Sequence, residues 1–153
     1  MINRAEKPPC FDKNGMIDMF EPKMSAQELN GISMLGLAHV GDAVYELLTR
    51  TYLCLHGGKD AMRMHKKTVS IVNAPAQARA AARLLPLLNE EELAVYKRGR
   101  NAKVNSVPHR ADIGEYHAAT GLEALFGWLY LQGETERVRE LYAFITEGFE
   151  DGA

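Results

Sequence analysis

The chain has 153 residues, of which 46% are hydrophobic and 25% charged, and its formal net charge is -2. These values describe one domain around a single core and exclude a disordered chain, a fibrous repeat and a surface coated in positive charge. No apolar run approaches the roughly 18 residues that span a bilayer, and the opening MINRAEKPPC lacks the apolar core of a signal peptide, so a cytoplasmic protein without membrane contact is expected.

Residues 1–24 contain Pro8, Pro9, Gly15 and Pro22 without sustained periodicity and are read as a tail or arm. Ser25 with Glu28 forms a capping box, which predicts a short helix. A longer helix is predicted from about Ser33 to His56, with Leu37, Val40, Val44, Leu47, Thr51 and Leu55 at helical spacing and Gly57-Gly58 as its stop. DAMRMHKKTVSIVN reads as a third helix, and APAQARAAARLLPLLN as a fourth with Pro75 in its first turn. Asn89 with Glu92 is a second capping box, opening a helix over NEEELAVYKRGR. Residues 102–112 are loop-like around Pro108. A helix from about Ile113 to Gln132, a stop at Gly133 and an amphipathic helix over ETERVRELYAFITEGF complete an all-α reading, with residues 25–150 as one domain. The two cysteines, Cys10 and Cys54, have no spacing that suggests a disulfide framework or a zinc site.

Two carboxylates stand out. Glu123 is the only formally charged residue between His117 and Glu134, in a helix apolar almost all the way round, and an unpaired acid there is costly to bury. Tyr116, Thr120, Glu123 and Gly127 fall on one stripe of that helix, which suits a cleft. Asp42 is the only formally charged residue between Glu28 and Glu46, and Gly36 and Gly41 beside it allow another helix to come close. Oxygen ligands on two apolar helices suit a shared Mg²⁺ site, with Glu46 one turn after Asp42 as a further ligand. The competing readings are a solvated Asp42 and Glu46, and a Glu123 held in a structural ion pair. Basic residues gather in MHKK at 64–67 and in YKRGRNAK at 96–103, with His109 and Arg110 beyond. An exposed cationic segment suits a phosphate backbone, but a solvated helix end has the same composition.

Taken together, LGLAHVGDAVYELLTR, HKKTVSIVNAPAQA, YKRGRNAK and YHAATGLEALFGWLYL resemble the catalytic domain of the ribonuclease III family, and more closely its compact Mini-ribonuclease III branch. The resemblance runs in order from about residue 28 to residue 145. It implies a homodimeric all-α bundle that cleaves double-stranded RNA with Mg²⁺, Mn²⁺ being able to substitute, and that matures the large-subunit (23S) ribosomal RNA precursor. A large-subunit ribosomal protein is then a candidate partner, and no double-stranded-RNA-binding domain is expected after the catalytic one. By position, Asp42 matches the metal-binding aspartate of the family's LGD signature, and Glu123 the metal-binding glutamate of its late DxxEA helix. Two further family acids are replaced by Ala38 and Thr120, for which Glu46 is a compensating candidate. Asp42 and Glu123 are thus the expected catalytic residues, and Arg98, Arg100, Lys103, Lys66 and Lys67 the expected RNA contacts. The alternative is a non-catalytic RNA-binding or ribosome-assembly factor that kept the fold after losing acids.

Overall fold

A computed structural model describes residues 14–103, 106–109 and 111–149; Cys10 and Arg110 lie outside the described residues. Its helices are α1 (Ala26–Asn30), α2 (Met34–Leu55), α3 (Ala61–Val72), α4 (Ala74–Leu84), α5 (Glu90–Arg100), α6 (Ile113–Leu131) and α7 (Thr135–Thr146). The starts of α1 to α6 are written in the sequence. Ser25 and Asn89 close full capping boxes with Glu28 and Glu92, while the side chains of Ser33, Asp60, Asn73 and Asp112 each accept from a backbone N–H in the following turn. Stops are equally local: Gly57 and Gly133 take φ of 90° and 86°, a conformation that costs glycine little.

One expected helix is shorter than its pattern. The segment read as one helix over 74–89 leaves the α conformation after Leu84 and tightens into a 3₁₀ turn over Leu85–Leu87. Pro86 has no N–H to continue the ladder, and its ring crowds the carbonyl one turn back.

α6 is the axis of the domain. It packs against α2, α5, α4 and α7, and its Ala124, Leu125 and Phe126 are fully buried. Tyr45 of α2 stacks edge-on against Phe126 at 5.3 Å and against Tyr142 of α7 at 5.5 Å, and the Tyr142 hydroxyl donates to Thr49 Oγ1 at 2.8 Å. Each of these large side chains contributes roughly 1.5–3 kcal/mol by leaving water, and the hydroxyl keeps its bond inside. At the other edge Glu92, 2% exposed, accepts two bonds from Arg137 of α7 at 2.8 and 2.9 Å, and the same guanidinium donates to the Leu87 carbonyl. Burial raises the Glu92 pKa, but the bonds from Arg137 and the Asn89 backbone, with the Arg137 charge, outweigh it and hold the carboxyl below its ordinary value.

The end of the N-terminal arm is docked. Met24 N–H donates to the Leu131 carbonyl at 2.8 Å, and the Tyr130 hydroxyl donates to the Met19 carbonyl. This leaves Met19 and Phe20 largely exposed beside Val40, Ala43, Val44 and Leu47 of α2, around a groove of about 610 Å³. No helix among the described residues is long and apolar enough to cross a membrane.

Candidate active site

The two helices that carry the expected acids meet at glycines. A Cβ on Gly41 would overlap the backbone carbonyl of Glu123, and one on Gly127 would overlap that of Leu37. Only hydrogen side chains permit this approach. Because Asp42 follows Gly41 and Glu123 supplies the carbonyl in contact, the closest approach of α2 and α6 is also where the two acids sit.

Their environments differ. Asp42 is exposed on α2, but burial of its carboxyl and the charge of Glu46 raise its pKa, against a smaller lowering by His39. Glu123 is partly buried, and burial with the negative charge of Asp42 pushes its pKa up to about 8, against a lowering by the amide of Gln77. No basic side chain forms an ion pair with Glu123 among the described residues. The structural salt bridge weighed for Glu123 is therefore not formed there; instead the acid faces a second acid across the seam.

Glu46 is placed otherwise. Its carboxylate accepts from Arg50 one turn further along α2 at 3.1 Å, and no three acidic, histidine or cysteine side chains among the described residues gather into a group able to hold a metal. Ala38 and Thr120, which stand where the larger family has acids, are both buried, and the Thr120 hydroxyl donates back to the Tyr116 carbonyl at 3.0 Å. Neither position offers a carboxylate to the pair.

The charge of Asp42 thus adds to burial in raising the cost of ionising Glu123, and no basic side chain among the described residues pairs with that acid to offset it. Mg²⁺ is commonly held by one or two carboxylates, with water and phosphate oxygens completing its shell.

The basic turn lies beside this seam. Gly99 of α5 packs against Gly121 and Ala124 of α6, where an added Cβ would stand 3.0 and 2.7 Å from their nearest atoms, so the last turn of α5 lies beside the turn of α6 that leads into Glu123. Arg98 and Lys103 are exposed, and Arg100 lies over the Tyr96 ring at 5.8 Å and donates to Asn101. Lys66 and Lys67 are exposed on α3, which packs on α2 and α4 rather than on α6.

Sequence reasoning passed over Gln77. It is 1% exposed on α4 and takes the first place in a buried set completed by Ala80, Ala81 and Leu84. A glutamine at the head of an i, i+3, i+4, i+7 apolar face was the available signal.

Comparison with known proteins gives the family. The Ribonuclease III domain family matches residues 35–134. The chain is 40% identical to a Mini-ribonuclease 3 of Clostridium tetani over 86% of this chain and 87% of that one. It is 47% identical to a Mini-ribonuclease 3 of Brevibacillus brevis over 70% and 80% of the two chains. A crystal structure of a Fusobacterium nucleatum protein superposes with a TM-score of 0.69 at 33% identity, covering 76% of this chain and 93% of that one. The all-α domain, with its two acids at a glycine-lined helix crossing, belongs to the ribonuclease III family of endoribonucleases, in the Mini-ribonuclease 3 group.

Proposed function

We propose that the protein cuts both strands of double-stranded RNA with a divalent cation, Mg²⁺ or Mn²⁺, held by Asp42 and Glu123, and that its cytoplasmic substrate is the 23S ribosomal RNA precursor. The observation that carries the reading is the meeting of two acids without an ion-pair partner for Glu123 at the Gly41–Glu123 contact. When bound, the cation supplies charge neutralisation and Lewis-acid polarisation of the scissile phosphodiester. The chain's own residues do the rest. Asp42 and Glu123 orient the site from two rigid helices, and Glu46 adds negative charge next to Asp42 while one of its oxygens accepts from Arg50. Arg98, Arg100 and Lys103 hold phosphates beside the seam, with Lys66 and Lys67 as further contacts. A-form RNA is read by shape, phosphate and 2′-hydroxyl, which suits such a cationic turn. Hydrolysis leaves a 5′ phosphate.

The second cut requires a second site. The apolar groove formed by α2 with Met19 and Phe20 is a surface of the kind that self-association covers, and a two-fold dimer through it would present two sites to the opposite strands. A large-subunit ribosomal protein is the candidate that presents the precursor.

The test is cleavage of long duplex RNA with MgCl₂, comparing the parent with Asp42→Asn and Glu123→Gln on a denaturing gel. Cutting by the parent, abolished by EDTA and by each variant while the variants stay folded, is the expected result. The buried Ala38 and Thr120 favour one alternative, a non-catalytic RNA-binding or assembly factor. A parent that binds duplex RNA and a ribosomal precursor but cuts neither would establish it.

A further inference from the structure

Among the described residues, the buried side-chain nitrogens that lack a hydrogen-bond partner are Gln77 Nε2 and His117 Nδ1. An amide shut away from water with a donor unused costs about 1–3 kcal/mol, so such a group calls for an explanation. Gln77 is 1% exposed, and its surroundings are specific. It stands one turn into α4, its own N–H bonded to the Asn73 carbonyl at 2.9 Å, and α4 packs on α6. The Gln77 amide approaches the Glu123 carboxyl closely enough to favour its ionised form, yet Nε2 closes no bond of normal geometry. The buried, unpartnered donor therefore lies within reach of the Glu123 carboxyl.

From this geometry we infer that Gln77 is the positioning residue of the metal site, donating through Nε2 to one oxygen of Glu123 and so turning the other toward the cation. The inference rests on the proposed cation between Asp42 and Glu123. Its logic follows from the carboxylate itself, which has two oxygens. With Ala38 and Thr120 supplying no carboxylate, Glu123 is one of two acids left to orient, and an exposed partner such as Asp42 cannot lock its rotamer. A donor fixed in the α4–α6 interface can. Neighbours that orient a metal-ligating side chain typically contribute 10–100-fold to metal affinity or activity.

The experiment measures Mn²⁺ binding to the RNA-free protein by electron paramagnetic resonance or calorimetry, alongside thermal unfolding in EDTA. The chains compared are the parent, Gln77→Leu, Gln77→Met, Glu123→Gln and Asp42→Asn. Gln77→Leu is expected to weaken Mn²⁺ binding roughly 10–100-fold while leaving the metal-free unfolding midpoint unchanged or raised, because an unsatisfied amide is replaced by an apolar group of similar size. Gln77→Met repeats the comparison with an unbranched side chain should leucine not pack. A residue with only a packing role gives the opposite pattern, a lowered metal-free midpoint with unchanged metal affinity, and that result overturns the inference. Unchanged affinity in both Gln77 variants, with affinity lost in Glu123→Gln, overturns the positioning role and leaves the metal site standing. Unchanged affinity in all four variants overturns the metal site and the positioning role with it.

Discussion

Gly41 of α2 rests directly on the backbone carbonyl of Glu123 in α6, so that the distance between the helices is set by the absence of a Cβ at the residue before Asp42. Backbone is what the added methyl would meet, and backbone cannot swing aside as a side chain does. Gly41→Ala is expected to cost about 3 kcal/mol or more, as overpacking against a rigid neighbour does. For a domain of this size that lowers the unfolding midpoint by roughly 6–12 °C. Gly57→Ala, at a positive-φ turn with open space around it, is the control and should cost only about 1–2 kcal/mol. Equal midpoints for the two variants would mean that the helices do not touch there.

Glu123 gives the metal-free protein a pH dependence of unusual sign. Its folded pKa is raised to about 8 from an ordinary 4.5. Between those values the native state holds a proton that the unfolded chain has released, so this group's contribution makes stability fall as pH rises. Denaturant midpoints in EDTA should decline across that window, and Glu123→Gln should flatten the decline. A parent and variant with parallel pH profiles would contradict the placement of the acid.

Glu92 behaves in the opposite direction. Its carboxyl is held below the ordinary 4.5, so its contribution is fully present above that value and is lost as pH falls through the folded one. Removing its partner is more damaging than protonation. Arg137→Met strands a carboxylate that is 2% exposed, and this is expected to cost about 3–5 kcal/mol. The double variant with Glu92→Met should recover most of that loss in urea unfolding, and a double variant no better than Arg137→Met would show that the pair is not the source.

Salt tells the phosphate contacts apart from incidental charge. Arg98→Ala and Lys103→Ala should each weaken duplex RNA binding about equally for all sequences, and each should reduce the slope of log K against log salt by about 1. Fluorescence anisotropy over a range of KCl measures both. An unchanged slope would remove that residue from the interface.

Self-association is tested on α2. Leu47 is 58% exposed at the rim of the apolar groove, and Leu47→Glu places a charge there without disturbing the core. Sedimentation velocity should show the parent as a dimer and the variant as a monomer, with duplex cleavage by the variant reduced or limited to nicks. A monomeric parent would end the dimer proposal.

Local chemistry made most of the fold readable. Capping side chains at Ser25, Ser33, Asn73 and Asn89, glycines at the stops and the apolar period between them are short-range features, and each predicted helix formed close to its expected bounds. The exception over 74–89 is itself local, since Pro86 ends a helix whatever surrounds it. Asp42 and Glu123 were legible as isolated charges in apolar segments because burying a charge is costly anywhere. Periodicity could not say that they meet, that Glu46 turns to Arg50, or that Gln77 is shut in against Glu123. Those facts depend on the angle and spacing at which α2, α4 and α6 cross. Contacts of many side chains far apart in the chain set that geometry together, and only the folded domain brings them to one place.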